Sequence, residues 1–559
     1  MYLEQKVVEL TGWWTLMRFR KDIKDIKNVQ EQTLMDILKT GSQTKFGRDH
    51  NLKNIANTAE FREKVPLSCY DDYRPYIEAI MNGEKNLLFH EQIDFFGATS
   101  GTTSGKSKLF PLNVNKLKIN LLFAIATSFA MIRKHIPSFG VIKPIANVRI
   151  GVRFPTTETG IEKGSISAKL MPYRRYLCSP SAAYDILTEK EGLYIHAVFT
   201  LKEPDVTYIM CLTSSVLLSF LLLIKRQWKQ LVRDIRLGQL DPDLNISDSM
   251  RKKLEKSLRP DPKRADELTG IFHGNSFINI VPRLWTHCSM VSSLATGTFE
   301  LQANIVRAQF GQTVPIVTFM HAATEGQYGI VVFDEGITKD GVTRADFVPI
   351  PRAAFFEFIP LEDVHREHPR TLLAHQVIPG SDYELVVTNS RGLYRYRTQD
   401  VIRIVGFRNT APVYNVRQRT TDVLNVRVEK VPESVVTEAV VAAAATWNSG
   451  CLTNFSATEK INCDKLTDNI TGEARYVFFV ELDTNTHMTE VEKSQIDAKL
   501  YEICDTYRAF RNNGTIQEPE VIQVAPGTFD VIKQTAVNNN SLLYIDQFKW
   551  PRILRKPDF

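Results

Sequence analysis

The chain has 559 residues, 43% of them apolar and 24% charged, which is ordinary globular usage and excludes disorder, collagen and a disulfide-rich scaffold. Its 69 basic and 63 acidic residues leave a net charge of +6, compatible with an anionic small ligand and too thin for a nucleic-acid footprint. Seven cysteines, none spaced as C-x-x-C, signal neither a zinc site nor a disulfide frame and fit reduced thiols in the cytoplasm.

The segment 7–17, VVELTGWWTLM, is interrupted by Glu9 and lacks a small-residue cleavage site, so it does not read as a signal peptide. Residues 28–42 and 71–82 carry helical spacing, with a loop-rich stretch between them. A strand-like run over 91–99 meets a Gly/Ser/Thr cluster at 100–108, and 112–136 reads as a long buried helix. A strand over 148–154, a helix over 214–236, a charged helix near 248–257 and a strand over 316–322 follow. The most lipid-like stretch, 208–224, falls short of the roughly 20 residues a membrane span needs and reads as a buried helix, so no membrane contact is expected.

Period-2 alternation marks strands at 328–333, 355–360, 383–388, 393–398 and 401–407. Beyond about residue 420 the pattern changes to helix 431–447, strand 476–482, helix 489–510 and strand 519–525. The expected fold is therefore α/β: a large N-terminal α/β body with a β-rich subdomain over 1–418, and a small mobile C-terminal α+β domain over 419–559. A monomer is expected.

The cluster TSGTTSGKSK (99–108) is the most informative piece of chemistry. Its glycines let the backbone approach a ligand closely, and its hydroxyls and backbone N–H groups form a concave donor array suited to phosphate. Lys106 and Lys108 add positive charge. A Walker loop is the first alternative, but its first glycine falls at Ser100 and the extended KLFPL follows where a helix should open. A merely flexible Ser/Gly loop is the second.

Downstream, MHAATEGQYG (320–329) sets the Thr324 hydroxyl beside the Glu325 carboxylate at a strand end, a pairing that suits an α-phosphate and Mg²⁺, although A-T-E-G read alone is also a plain turn. Asp400, in GLYRYRTQDVIRIVGF (392–407), follows a strand where a carboxylate can accept both ribose hydroxyls.

These motifs, in this order, resemble the auxin-responsive acyl acid amido synthetases, the Gretchen Hagen family of adenylate-forming enzymes. The loop at 99–108 resembles the superfamily's phosphate loop with one extra residue, as in that family. The resemblance runs from about residue 28 to 554. It implies ATP-phosphate contacts from Thr99, Ser100, Gly101, Thr102, Thr103 and Lys108, with Thr296 and Gly297 on the adenine side. It further implies Thr324 at the α-phosphate, Glu325 on the metal, Asp400 on the ribose, and Arg417, an ATP contact as well, with Arg419 in the interdomain hinge around 417–422. Lys430 matches a lysine brought to the α-phosphate. Lys549, in YIDQFKWPRIL (544–554), matches the mobile catalytic lysine. Gln399 stands where the family has glycine, so the local turn is expected to differ slightly.

The implied reaction uses ATP and Mg²⁺ to adenylate a small carboxylic acid, then passes the acyl group to the amine of an amino acid. Two alternatives remain: an acyl-CoA-forming ligase, and a nucleotide-binding protein whose site has decayed. The acid pocket is expected among 112–136, 166–230 and the strands after 328, with the arginines of MPYRRYL (171–177) as candidate carboxylate partners.

Overall fold

The computed structural model describes residues 2–555 apart from 100–106, 138, 140–143, 171–175, 275, 334–344, 420–422, 428 and 462–473. Its centre is a parallel sheet of four strands, in the order Ile145–Val148, Tyr208–Thr213, Met290–Leu294 and Ile316–Val317. Parallel neighbours require crossovers, and the helices Glu189–Lys202, Ser214–Leu237 and Glu300–Gln309 lie among them. The stretch 208–224 is a strand followed by a helix rather than one helix. Its Val216, Leu217, Phe220, Leu221 and Ile224 bury one helical face, and Gly238 ends that helix with a left-handed φ of +65°. Helix Glu189–Lys202 is buried on every side, so no amphipathic period marked it in the sequence.

An antiparallel sheet of eight strands packs beside this body. Its central strands are Ala354–Pro360, Asp382–Asn389, Leu393–Arg408 and Ala411–Arg419, and its edge is Met320–Ala322. The two strands expected at 393–398 and 401–407 are one bulged strand. The single strand expected at 316–322 is two: Ile316–Val317 closes the parallel sheet and Met320–Ala322 opens the antiparallel one. Thr318 pins the switch, donating from Oγ1 to the Ser293 carbonyl at 2.8 Å and accepting from the Ala295 N–H at 3.1 Å.

The arginines of GLYRYR hold the body together. Arg395 donates to both carboxylate oxygens of buried Glu357, at 2.9 and 3.0 Å, and to the carbonyls of Arg62 and Val65 at 2.6 and 2.8 Å. Arg397 pairs with buried Glu384. The helix Tyr2–Asp22, which has apolar residues on both faces and so no clear period, lies antiparallel against Val114–His135. Gly12 sits at the crossing, where a Cβ would come within 3.0 Å of the Ala126 carbonyl.

The C-terminal unit has a four-stranded sheet, ordered Glu520–Val524, Ala474–Leu482, Leu452–Ile461 and Ile553–Leu554, with its own core around Val436, Phe455, Phe478 and Leu500. The helix expected over 489–510 breaks at Cys504, which caps Asp505–Asn512 through its sulfur. A buried Lys533–Glu189 ion pair of 2.9 Å ties this unit to the body. Among the described residues no helix is long and apolar enough to cross a membrane.

Candidate active site

Ligands of open α/β sheets bind beyond the carboxyl ends of the parallel strands. A cavity of about 390 Å³ lies there, touching Asn147, Thr213 and Ser293 at the ends of three neighbouring strands. Each of these three carries a buried polar atom without a hydrogen-bond partner, as a polar ligand site would leave them. Part of the lining is apolar: Leu117, Leu121 and Ile125 from helix Val114–His135, with Ile166 and Leu170 packed beside Leu117, and Met210. The expected strands after 328 contribute little to it. Phe319 and Met320 take their place, because the sheet switch at Thr318 delivers them to the cavity.

The phosphate-loop candidate springs from a hairpin. Strands Phe95–Ala98 and Leu109–Leu112 pair antiparallel, and the Thr99 N–H donates to the Lys108 carbonyl at 2.9 Å. The chain thus returns as a strand where a Walker loop would open a helix. Thr99 lines the cavity and Lys108 lies over the Tyr70 ring. Ser100, Gly101, Thr102 and Thr103 lie outside the described residues, as do Arg174 and Arg175.

Thr324 and Glu325 occupy the tip of the hairpin joining Met320–Ala322 to Gln327–Val332. Two side chains clamp that tip: Arg391 donates to the Thr324 carbonyl and Asn389 to the Glu325 carbonyl, both at 3.0 Å. Both tip residues line the cavity. Burial raises the pKa of the Glu325 carboxyl, and nearby Asp400 adds to the effect, while Arg419 and Lys108 work against it. A carboxylate held this way gains from an incoming cation.

Asp400 faces Arg419 across the neighbouring strand, Oδ1 lying 3.6 Å from Nε. His321 completes its surroundings, with Nε2 at 3.4 Å from Oδ2 and Nδ1 at 3.1 Å from the Tyr414 hydroxyl. Burial opposes the charge on Asp400, but the His321 contact and the positive charges of Arg419 and Lys549 outweigh it and hold the carboxyl at about 2. Gln399, just before it, has a φ of +65° and its N–H donates to Glu384 at 3.2 Å. The backbone thus keeps a left-handed conformation open to glycine without cost, and the expected change of turn is a glutamine adopting that conformation.

Lys549 lines the cavity, delivered by a tail whose Asp546 accepts from the Ile150 N–H and faces buried Arg149. Lys430 is exposed on the small hairpin of Val423–Leu424 and Val431–Pro432 and does not touch the cavity. Arg417 also lies off its lining, which Arg419 reaches instead. Thr296 and Gly297 lie just beyond strand Met290–Leu294, where Gly297 opens a short turn with φ +58°.

Sequence pattern alone does not single out His321, Asn389 or Arg391. His321 precedes Thr324 within one motif, but its partner Asp400 is 79 residues away. Among the described residues no group of three or more His, Cys, Asp or Glu side chains converges on a metal-sized point.

The GH3 family N-terminal domain matches residues 15–316, its central domain 347–419 and its C-terminal domain 434–558. The chain belongs to the GH3 family. A probable indole-3-acetic acid-amido synthetase of Oryza sativa subsp. japonica is 27% identical over 94% of this chain and 91% of that relative. A 4-substituted benzoates-glutamate ligase of Arabidopsis thaliana is 26% identical over 96% of this chain and 95% of its own length. The solved GH3.15 acyl acid amido synthetase shares the fold, with a TM-score of 0.84 at 24% identity over 97% of this GH3 chain and 94% of that one. The fold is that of adenylate-forming enzymes.

Proposed function

We propose that this GH3 chain adenylates a carboxylic acid with ATP and transfers the acyl group to the amine of an amino acid. The observation that supports it best is the grouping of Thr99, Thr324, Glu325, Arg419 and Lys549 around one cavity, with Asp400 beside it. Residues 1–418 would bind ATP and the acid, and residues 419–559 would carry Lys430 and Lys549.

In the first step a carboxylate oxygen attacks the α-phosphorus, the bond to the β-phosphate bridging oxygen breaks, and pyrophosphate leaves. Negative charge grows on the phosphoryl oxygens, so positioning and fixed positive charge supply the catalysis. The Thr99 and Thr324 hydroxyls and the Lys549 ammonium would meet that charge. Asp400, ionised over the whole working pH range, would accept the ribose hydroxyls. Mg²⁺ commonly binds one or two protein carboxylates and completes its shell with phosphate oxygens and water, which fits the single Glu325 carboxylate at the cavity. When bound it would neutralise charge on the phosphates. In the second step the amine attacks the acyl carbonyl, the bond to AMP breaks, and the amine proton is lost.

The relatives act on acids as different as an indole and a benzoate. The apolar wall of Leu117, Leu121 and Ile125 supports an apolar acid for this chain. Incubation with ATP, a panel of such acids, and either amino acids or coenzyme A tests the reading. An amide formed with amino acids and no thioester is the expected result; a thioester alone would assign the chain to the acyl-CoA ligases.

A further inference from the structure

The helix Tyr2–Asp22 leaves one face without protein cover. Val7, Leu10, Trp13, Trp14 and Met17 are all exposed on it, Trp13 at 61% and Leu10 at 66%. Their spacing of three and four residues makes a single stripe, opposite the Gly12, Leu16 and Phe19 side that packs inward. Helix Val114–His135 extends the stripe with exposed Ile119, Leu122 and Phe123, and Trp14 lies 6.0 Å from the Phe123 ring. The result is one apolar patch across two antiparallel helices, built from large side chains that soluble surfaces seldom group together.

Cations frame it. Lys6 and Lys21 continue the stripe at its two ends, Arg18 and Arg20 flank it, and Lys118 stands one turn before Leu122. Arg18 also lies 5.8 Å from the Trp14 ring. Within residues 6–21 the acidic side chain is Glu9, paired with Lys6 and Arg133, and Asp22 at the helix end is buried and paired with Arg352. A helix face of Trp, Leu and Met set among Lys and Arg is the pattern of a segment that lies in the headgroup region of an anionic bilayer.

We propose that the face formed by Tyr2–Asp22 and Val114–His135 docks this protein on an anionic lipid surface. No span is involved, and the stretch 208–224, weighed for membrane contact in the sequence, is buried. A second copy of the chain fits the face less well, because a two-fold interface would set the same cation-rimmed patch against itself, and Glu9, the acidic side chain within residues 6–21, is already paired. The site lies close behind the patch. Leu117, Leu121 and Ile125, on the inner side of the second helix, line the reaction cavity. A second cavity of about 400 Å³ opens between Arg18, Lys116 and Phe123, and Gln327 and Arg391 line both cavities.

Flotation of the full chain with vesicles of phosphatidylcholine, alone or mixed with phosphatidylserine, tests this without reference to catalysis. The wild type is expected to float with the mixed vesicles, less so as salt rises, and poorly with phosphatidylcholine alone. The double variant Trp13→Ala, Trp14→Ala is expected to weaken partitioning about tenfold or more. The triple variant Arg18→Glu, Arg20→Glu, Lys21→Glu should lose at least about fivefold per charge and its preference for phosphatidylserine. All these side chains are exposed, so urea midpoints should match the wild type, and Val491→Glu, an exposed site on the C-terminal unit, should float normally. Absence of wild-type binding to either vesicle, or variants that bind as well as the wild type, would overturn the proposal. So would a dimer in sedimentation that the tryptophan substitutions dissociate.

Discussion

Asp400 offers the most quantitative check, because its low pKa ties the folded state to pH. Its carboxyl falls from the ordinary 3.8 to about 2, against the effect of burial, through His321, Arg419 and Lys549. At about 1.4 kcal/mol per tenfold, that difference is roughly 2.5 kcal/mol of stability at neutral pH. The folded-state value is the lower one, so this contribution is complete above the unfolded value and is lost as pH falls toward about 2. Asp400→Asn keeps the shape and discards the charge. Urea unfolding of wild type and variant should therefore show a gap of about 2.5 kcal/mol at neutral pH, shrinking to about half near pH 3. A gap that does not narrow in acid, or a variant as stable as the wild type at neutral pH, would show that the Asp400 charge does not stabilise the fold.

Other consequences follow from the same structure. Because burial raises the Glu325 pKa, Glu325→Gln should unfold at a higher urea concentration than the wild type at neutral pH while losing acid-dependent turnover; urea titration and an activity assay would read both. Glu357→Gln breaks a buried pair whose partner, Arg395, cannot reach water, and should cost about 3 to 5 kcal/mol in the same titration. Gln399→Gly relieves a left-handed glutamine and should leave stability within about 1 kcal/mol of the wild type, with ATP affinity by calorimetry unchanged.

The parts of the fold that were legible in the sequence are those with one clear period. Helix Val114–His135 and the strands Gln327–Val332, Ala354–Pro360 and Asp382–Asn389 stand within a few residues of where the sequence pattern put them. Elements buried on both faces were not legible: Glu189–Lys202 has no polar side to mark a period, and 208–224 hid a strand-to-helix boundary inside one apolar run. Tyr2–Asp22 was opaque for a related reason, since its outward face is as apolar as its inward one. In the candidate site, contiguous motifs singled out Thr324 and Glu325, and both line the cavity. The site was not legible where strands from distant segments meet: His321 reaches Asp400, and Arg419 rather than Arg417 reaches the cavity, through strand pairing that no local pattern encodes.

The proposed function places adenylation of a carboxylic acid in the cavity of Thr324, Glu325 and Lys549. Carboxylate-dependent exchange of labelled pyrophosphate into ATP, run with Mg²⁺ and pooled indole, aromatic, cyclopentanone and fatty acids, tests it directly. The expected result is exchange that requires an acid and falls by about a hundredfold or more in Lys549→Ala and in Glu325→Ala. Exchange that persists in both variants, or a wild-type chain that binds no ATP and catalyses none, would contradict it.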